Sequence, residues 1–159
     1  MEKWFLGQYK PGKANLQRVQ YQLALKSINS WTPQIFTSRK TDDGKLRKCV
    51  EALFPGYIFI EFDIERHHPS VIAALPGMSD FVSFGGEIQE VHYSVIAELM
   101  SYPISYAEPS MNHHLSRSPR LTRRQRLAIR DMVSSTDPLQ RTAMLLALHE
   151  AISDSRAAA

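Results

Sequence analysis

Leu53-Phe-Pro-Gly-Tyr57-Ile-Phe-Ile-Glu-Phe62 is the stretch whose reading decides the fold. Pro55-Gly56 is a turn dipeptide: proline fixes φ, and glycine accepts the positive φ that a type II turn demands. Tyr57 to Phe62 is almost continuously apolar, aromatic and β-branched, which predicts an inner strand covered on both faces. Such a strand needs neighbours in a sheet and layers above and below it.

The flanking sequence supplies them. Lys3-Trp-Phe-Leu-Gly-Gln-Tyr9 reads as a first strand, ended by Lys10-Pro-Gly12. From Lys13 to about Ser27, Leu16, Val19 and Leu23 recur at helical spacing, with Lys13, Gln17, Arg18, Tyr21, Gln22 and Lys26 opposite and Asn15 a candidate cap. Trp31 to Thr37 predicts a second strand, and Asp43-Gly44 marks the tip of a polar hairpin. Ser70 to Leu75 predicts a short helix, Asp80 to Phe84 another strand, and Tyr93 to Tyr102 a helix with Val95, Ile96 and Leu99 inward. Strands and helices alternate irregularly, so an α+β fold built on one mixed sheet flanked by helices is expected over residues 1–102.

Pro103 to Pro119 is aperiodic and polar, and reads as a linker that carries Pro109 and His113-His114. Thr122-x-x-Gln125 is a capping box, and Asp137-Pro138 is an N-cap followed by a first-turn proline. Two helices follow. The first carries Leu127, Ile129, Met132 and Val133, and the second carries Met144, Leu145, Leu148 and Ile152. Residues 120–156 are therefore expected to form an α-helical hairpin. Its apolar stripes need a partner, since helices this short draw most of their stability from packing. The N-terminal domain is the nearest surface.

Composition narrows the function classes. Of the 159 residues 43% are hydrophobic and 22% charged, as in a globular protein, and the net charge of +3 is compatible with nucleic acid. Cys49 is the single cysteine, so an intramolecular disulfide or a cysteine-based metal site is excluded. No apolar run approaches the ~20 residues of a membrane span, and the N-terminus lacks the apolar core of a signal peptide. A cytoplasmic, monomeric protein without cofactor or metal is expected. No catalytic constellation is visible: Cys49 has His67, His68 and His92 only as sequence neighbours.

Trp4-Phe-Leu, Lys10-x-Gly12, Leu16-Gln-Arg18, the 53–62 segment and Gly77-x-Ser79-x-Phe81-Val-x-Phe84-Gly85 occur in an order that resembles the N-terminal domain of the NusG family of transcription elongation factors. The likeness is to the specialised RfaH-like branch, plasmid-borne ActX-type paralogues included. Most members of the family end in a small β-barrel with a KOW motif. Residues 119–159 contain no glycine and no strand alternation. Arg141-Thr-Ala-Met-Leu-Leu-Ala-Leu148 is similar instead to the segment that, in the RfaH-like branch, folds as a helical hairpin and docks on the N-terminal domain. The resemblance thus implies a KOW-equivalent region reduced to a helical lid.

It also implies two partners. Phe54 and Tyr57 match positions that grip the clamp helices of RNA polymerase, with Tyr9 and Leu99 in the same apolar set; His68 and Ser70 align with a polar patch that touches the opposite pincer. Lys10, Lys13, Gln17, Arg18 and Gln22 form the corner that reads the non-template DNA strand of the transcription bubble, although Pro11 and Pro76 stand where the branch has basic residues. The function implied is elongation and antitermination, autoinhibited by the hairpin. Each set also has an ordinary reading: core aromatics for Phe54 and Tyr57, a solvated helix face for the basic corner, and a solvated hairpin face for Arg117, Arg120, Arg123, Arg124, Arg126 and Arg130. The rival function is a stand-alone module for single-stranded nucleic acid, using basic and aromatic side chains without polymerase.

Overall fold

The computed structural model of the chain describes residues 1–102 and 120–158; the predicted linker, with His113-His114 and Arg117, lies outside them. In chain order the elements are β1 (Lys3–Tyr9), α1 (Asn15–Leu25), β2 (Asn29–Trp31), β3 (Gln34–Lys40), β4 (Leu46–Ala52), β5 (Tyr57–Phe62), α2 (Pro69–Ala73), β6 (Met78–Phe81), β7 (Ser83–Phe84), β8 (Glu87–Ile88), β9 (Glu90–Val91), α3 (Tyr93–Met100), α4 (Arg123–Ser134) and α5 (Pro138–Ala157).

The turn into β5 is the predicted one. Tyr57 N–H donates to Phe54 O at 3.1 Å, and Gly56 sits at φ +87°. β5 lies inside the main sheet, whose order is β2-β5-β1-β6, with β9 also paired to β1. The hub is β1 rather than β5: β5 takes one edge, while β9 (at Trp4 and Phe5) and β6 (at Gly7 to Tyr9) share the other. The α+β class stands, but the expected mixed sheet is antiparallel in every described pairing. The reason is topological. α1 joins β1 to β2, two strands that run the same way, and β5 fills the gap between them in the opposite direction.

Two predicted strands are split. Trp31 pairs with Phe59 in the main sheet, whereas Gln34 pairs with Ala52 in the separate β3–β4 ribbon. Pro33 makes the break: it has no N–H for a ladder, and its carbonyl accepts from Leu53 N–H at 2.9 Å. The predicted 80–84 strand likewise divides at Val82 into β6 and β7. Asn15 does not cap α1. Its side chain reaches back to Pro11 O (2.8 Å) and Lys10 O (3.2 Å) and ties down the preceding loop. At the other end Ser27 adopts φ +56°, with Ile28 N–H on Leu23 O and Ser27 N–H on Ala24 O, the Schellman pattern that stops a helix.

Strand alternation sorts the core into two layers. Phe5, Ile58, Ile60 and Phe62 face α1 and α2, where Val19, Leu23 and Ile72 are buried. Trp4, Leu6 and Phe59 face the other way, onto Val95, Ile96 and Leu99 of α3 together with Ile129 and Met132 of α4 and Leu145 and Ile152 of α5. Both C-terminal helices open as predicted: Thr122 and Gln125 exchange both capping-box bonds, and Asp137 accepts from Leu139 N–H at 3.0 Å. Leu127, expected inward, is exposed, and α5 continues five residues past Ile152.

Glu61 is buried on the α3 side, opposite Trp4 and Asn29. Desolvation first, and the nearby Glu2 charge second, push its carboxyl up to about 7. The folded chain therefore binds a proton at Glu61 that the unfolded chain has already lost between about pH 4.5 and 7, so the contribution of this group to stability falls as pH rises through that window. Glu61→Gln is expected to remove this contribution to the pH slope and to raise stability at pH 8 by about 2–3 kcal/mol. Urea midpoints measured at pH 5 and pH 8 test it; a variant that keeps the wild-type pH slope would refute the assignment.

Candidate functional site

The turn that carries Phe54 and Tyr57 lies at the seam between the sheet and the α4–α5 hairpin. Phe54 is only 1% exposed, packed edge-on against Phe59 at 6.3 Å in the cluster that includes Leu99, Ile129, Met132 and Leu145. Tyr57 is half-buried against the same cluster, and its hydroxyl accepts from Gln8 Nε2 at 3.0 Å. The surface expected for Phe54 and Leu99 is thus covered by the hairpin's apolar stripe.

One residue pins that cover. Arg141 of α5 is 0% exposed. Its Nε donates to Leu53 O at 2.9 Å, next to Phe54 in sequence; one terminal nitrogen donates to Ser135 O at 2.9 Å, and the other meets Glu51 Oε1 at 3.2 Å. A buried guanidinium is tolerated only when its charge is paired and its donors are used. Here they are used by the β4–β5 connection and by the hairpin's own turn. The buried side of α5 is accordingly Arg141, Leu145, His149, Ile152 and Ser153, a helical stripe with two ionisable members. His149 stacks edge-on with Phe84 at 5.2 Å. Burial, with His92 nearby, lowers its imidazole to about 4, so it is neutral at pH 7.

The other expected residues lie elsewhere. Tyr9 leaves the sheet on the α1 side, and its hydroxyl accepts from Gly56 N–H at 3.1 Å, which braces the same turn from the opposite layer. His68 and Ser70 are exposed at the start of α2. His68 Nδ1 accepts from Ser70 N–H at 3.2 Å, so this pair caps the helix as well as facing solvent. Lys10, Lys13, Gln17 and Arg18 are all exposed at the β1–α1 corner, and Gln22 is half-buried. The six apolar and polar positions assigned to polymerase are therefore divided among the hairpin seam, the braced turn and the opposite layer.

Gly77 sets the shape of the basic corner. It has φ +89°, its carbonyl accepts from Lys10 N–H at 2.8 Å, and an added Cβ would stand 2.9 Å from Asn15 O. Only glycine allows α1 to lie this close to the loop before β6. Gly77→Ala is expected to cost about 2 kcal/mol and to shift α1. A thermal melt checks it; an unchanged melting temperature would remove this role.

The family profile described as "Transcription termination factor nusG" matches residues 2–100, more than half of the chain. The chain belongs to the NusG family. Members of the family act on transcription and bind RNA polymerase. A solved structure of Thermotoga maritima NusG, described as "Domain interaction in Thermotoga maritima NusG", is similar at 23% identity over 63% of this chain, with a TM-score of 0.37. The match spans 56% of that chain's length.

Among the described residues of this NusG-family chain, no three His, Cys, Asp or Glu side chains converge as a metal site. No described helix is long and apolar enough to cross a membrane. The residues that sequence reading missed are Arg141, His149, His92 and Glu61. All are polar residues in buried positions, where composition predicts exposure. The available signal was spacing: Arg141 precedes Leu145 by four residues, and His149 follows it by four, on one helical stripe.

Proposed function

We propose that this NusG-family chain is a specialised elongation and antitermination factor of the RfaH-like, ActX-type kind. Its domain of residues 1–102 binds RNA polymerase through Phe54, Tyr57, Tyr9 and Leu99, with His68 and Ser70 touching the far side of the cleft. Lys10, Lys13, Gln17, Arg18 and Gln22 hold the non-template DNA strand of the bubble. Residues 103–119 link this domain to the hairpin of residues 120–156, which acts as an inhibitory lid. One observation carries the lid reading: Phe54 and Leu99 are buried in a single cluster with Leu145 and Ile129, so a partner can reach them only after the hairpin leaves.

The lid lowers apparent affinity by the fraction of time that it is open. Deleting residues 119–159 is therefore expected to tighten polymerase binding, by about 100-fold for a lid open about 1% of the time, and to relax any dependence on a DNA signal. Equal polymerase affinities for the truncated and full chains would end the autoinhibition reading. In the truncated chain Tyr57→Ala is expected to abolish polymerase binding while sparing DNA binding. That residual binding should carry a log–log salt slope of about −2, the value for three cations on a single strand. Loss of nucleic-acid binding with Tyr57→Ala would instead indicate a stacking module independent of polymerase.

A further inference from the structure

The seam between α5 and the N-terminal domain holds two histidines that neither the polymerase nor the DNA reading uses. His149 lies on the buried stripe of α5, and His92, also buried, stands at the start of α3. Both line one pocket with Leu6, Val95, Leu145 and Ile152. In each ring Nε2 is buried with no hydrogen-bond partner among the described residues. A neutral imidazole tolerates this as the tautomer that leaves Nε2 a bare lone pair. Protonation of His149 would set a charged N–H against aliphatic walls. The free space there, about 10 Å³, is at the lower limit for a single water, so no hydration shell can follow the proton.

The surroundings offer His149 no counter-charge. From β7, Phe84 meets it edge-on at 5.2 Å. Ahead of β9, the Gln89 backbone gives a hydrogen bond that favours the protonated ring, but burial and the neighbouring His92 outweigh it. From α4, Ile129 and Met132 fill the adjoining cluster. The carboxylate at this end of the seam, Glu90, acts on His92, where burial and Arg156 of α5 oppose it. Glu90 itself meets Arg156 at 3.0 Å and Lys3 at 3.5 Å. Burial is the largest effect on both rings and holds each below the ordinary imidazole range.

We propose that His149, with His92 across the seam, makes docking of the α4–α5 hairpin sensitive to acid: the neutral rings let the hairpin close, and protonation of His149 releases it. Closed, His149 titrates at about 4; released into solvent, it returns to the ordinary value of 6.5. Its share of the docking energy is therefore complete above pH 6.5 and is lost as pH falls toward 4. From this ring alone, the released form gains about 30-fold between pH 7.5 and pH 5. His92 adds to the effect in the same direction. Exposure of the polymerase surface by acid rests on the lid reading above; the acid response itself rests on the packing of α5.

The test is native-state hydrogen exchange on the full ¹⁵N-labelled chain at pH 7.5 and pH 5, with rates corrected for intrinsic exchange. Protection of α4 and α5 amides is expected to fall about 30-fold between the two pH values. His149→Met keeps an adaptable apolar side chain on the stripe and cannot titrate, so most of the fall should vanish. Glu51, which meets Arg141, is present in both chains, so the difference between them reads His149. Ring carbon shifts of the wild-type chain give a second reading that needs no variant: at pH 6 His149 should still be neutral. Unchanged wild-type protection at pH 5, an equal fall in His149→Met, or a ring that titrates near its ordinary value would each overturn the proposal. No polymerase enters these measurements, so failure of the lid reading would leave their outcome unchanged.

Discussion

Arg141→Ala is expected to detach the α4–α5 hairpin while leaving the sheet folded. The substitution strands Leu53 O and Ser135 O beneath the hairpin and leaves the Glu51 carboxylate without its guanidinium. Removing one partner of a buried, hydrogen-bonded charge costs about 3–5 kcal/mol. Native-state hydrogen exchange reads the result locally. Amides of α4 and α5 should lose protection by roughly 100- to 1,000-fold, while those of β1 and β5 keep theirs. Trp4 and Trp31 both lie in the cluster that the hairpin covers, so their fluorescence should report the same event. Arg141→Met separates charge from packing: it keeps much of the side-chain volume and leaves Leu53 O and Ser135 O without the guanidinium, so it should detach the hairpin nearly as well. Wild-type protection of α4 and α5 in both variants would show that the apolar stripe suffices and that Arg141 is dispensable.

Phe62→Ala should have the opposite signature, a global loss with no local step. Phe62 is 1% exposed, with ring centroids 4.9 Å from Phe5 and 5.5 Å from Phe81. These rings fill the layer between the sheet and α1 and α2, on the far side from the hairpin. Truncating a buried phenylalanine costs about 3–5 kcal/mol through lost transfer energy and the cavity left behind. Against a total stability of about 5–15 kcal/mol, many molecules would unfold at 37 °C. Because the hairpin packs on the opposite face of the same sheet, it should melt with the sheet in one transition. A urea midpoint lowered equally by tryptophan fluorescence and by far-ultraviolet circular dichroism is the expected observation. A separate early transition confined to fluorescence would mean that the two layers fold independently.

The two variants locate what could be read from residues alone. Phe62 belongs to a run whose apolarity, β-branching and Pro-Gly entry mark a buried strand before any coordinates are known. Its burial on both faces follows from that composition. The capping box at Thr122 and the Asp137-Pro138 start are similarly local, because each depends on bonds within one helical turn. Arg141 could not be read in the same way. An arginine on an amphipathic helix belongs by default on the wet side, and nothing within one turn of it reveals that Leu53 O and Glu51 wait some ninety residues away in the chain. The basic corner is intermediate: its cations were legible, but the Gly77 contact that shapes it joins residues brought together only by the sheet.

By itself, then, the sequence determined the central strand and its turn, the caps of the two C-terminal helices, the family and the presence of a helical C-terminal region, because each depends on periodicity, turn chemistry or motifs carried by short stretches. Tertiary structure decided the antiparallel order with β1 as hub, the split of the Trp31 strand at Pro33, and the placement of Phe54 and Leu99 under the hairpin. It also brought His92 and His149 together at one seam. Those outcomes depend on which faces meet, and a face acquires its meaning only when another element covers it.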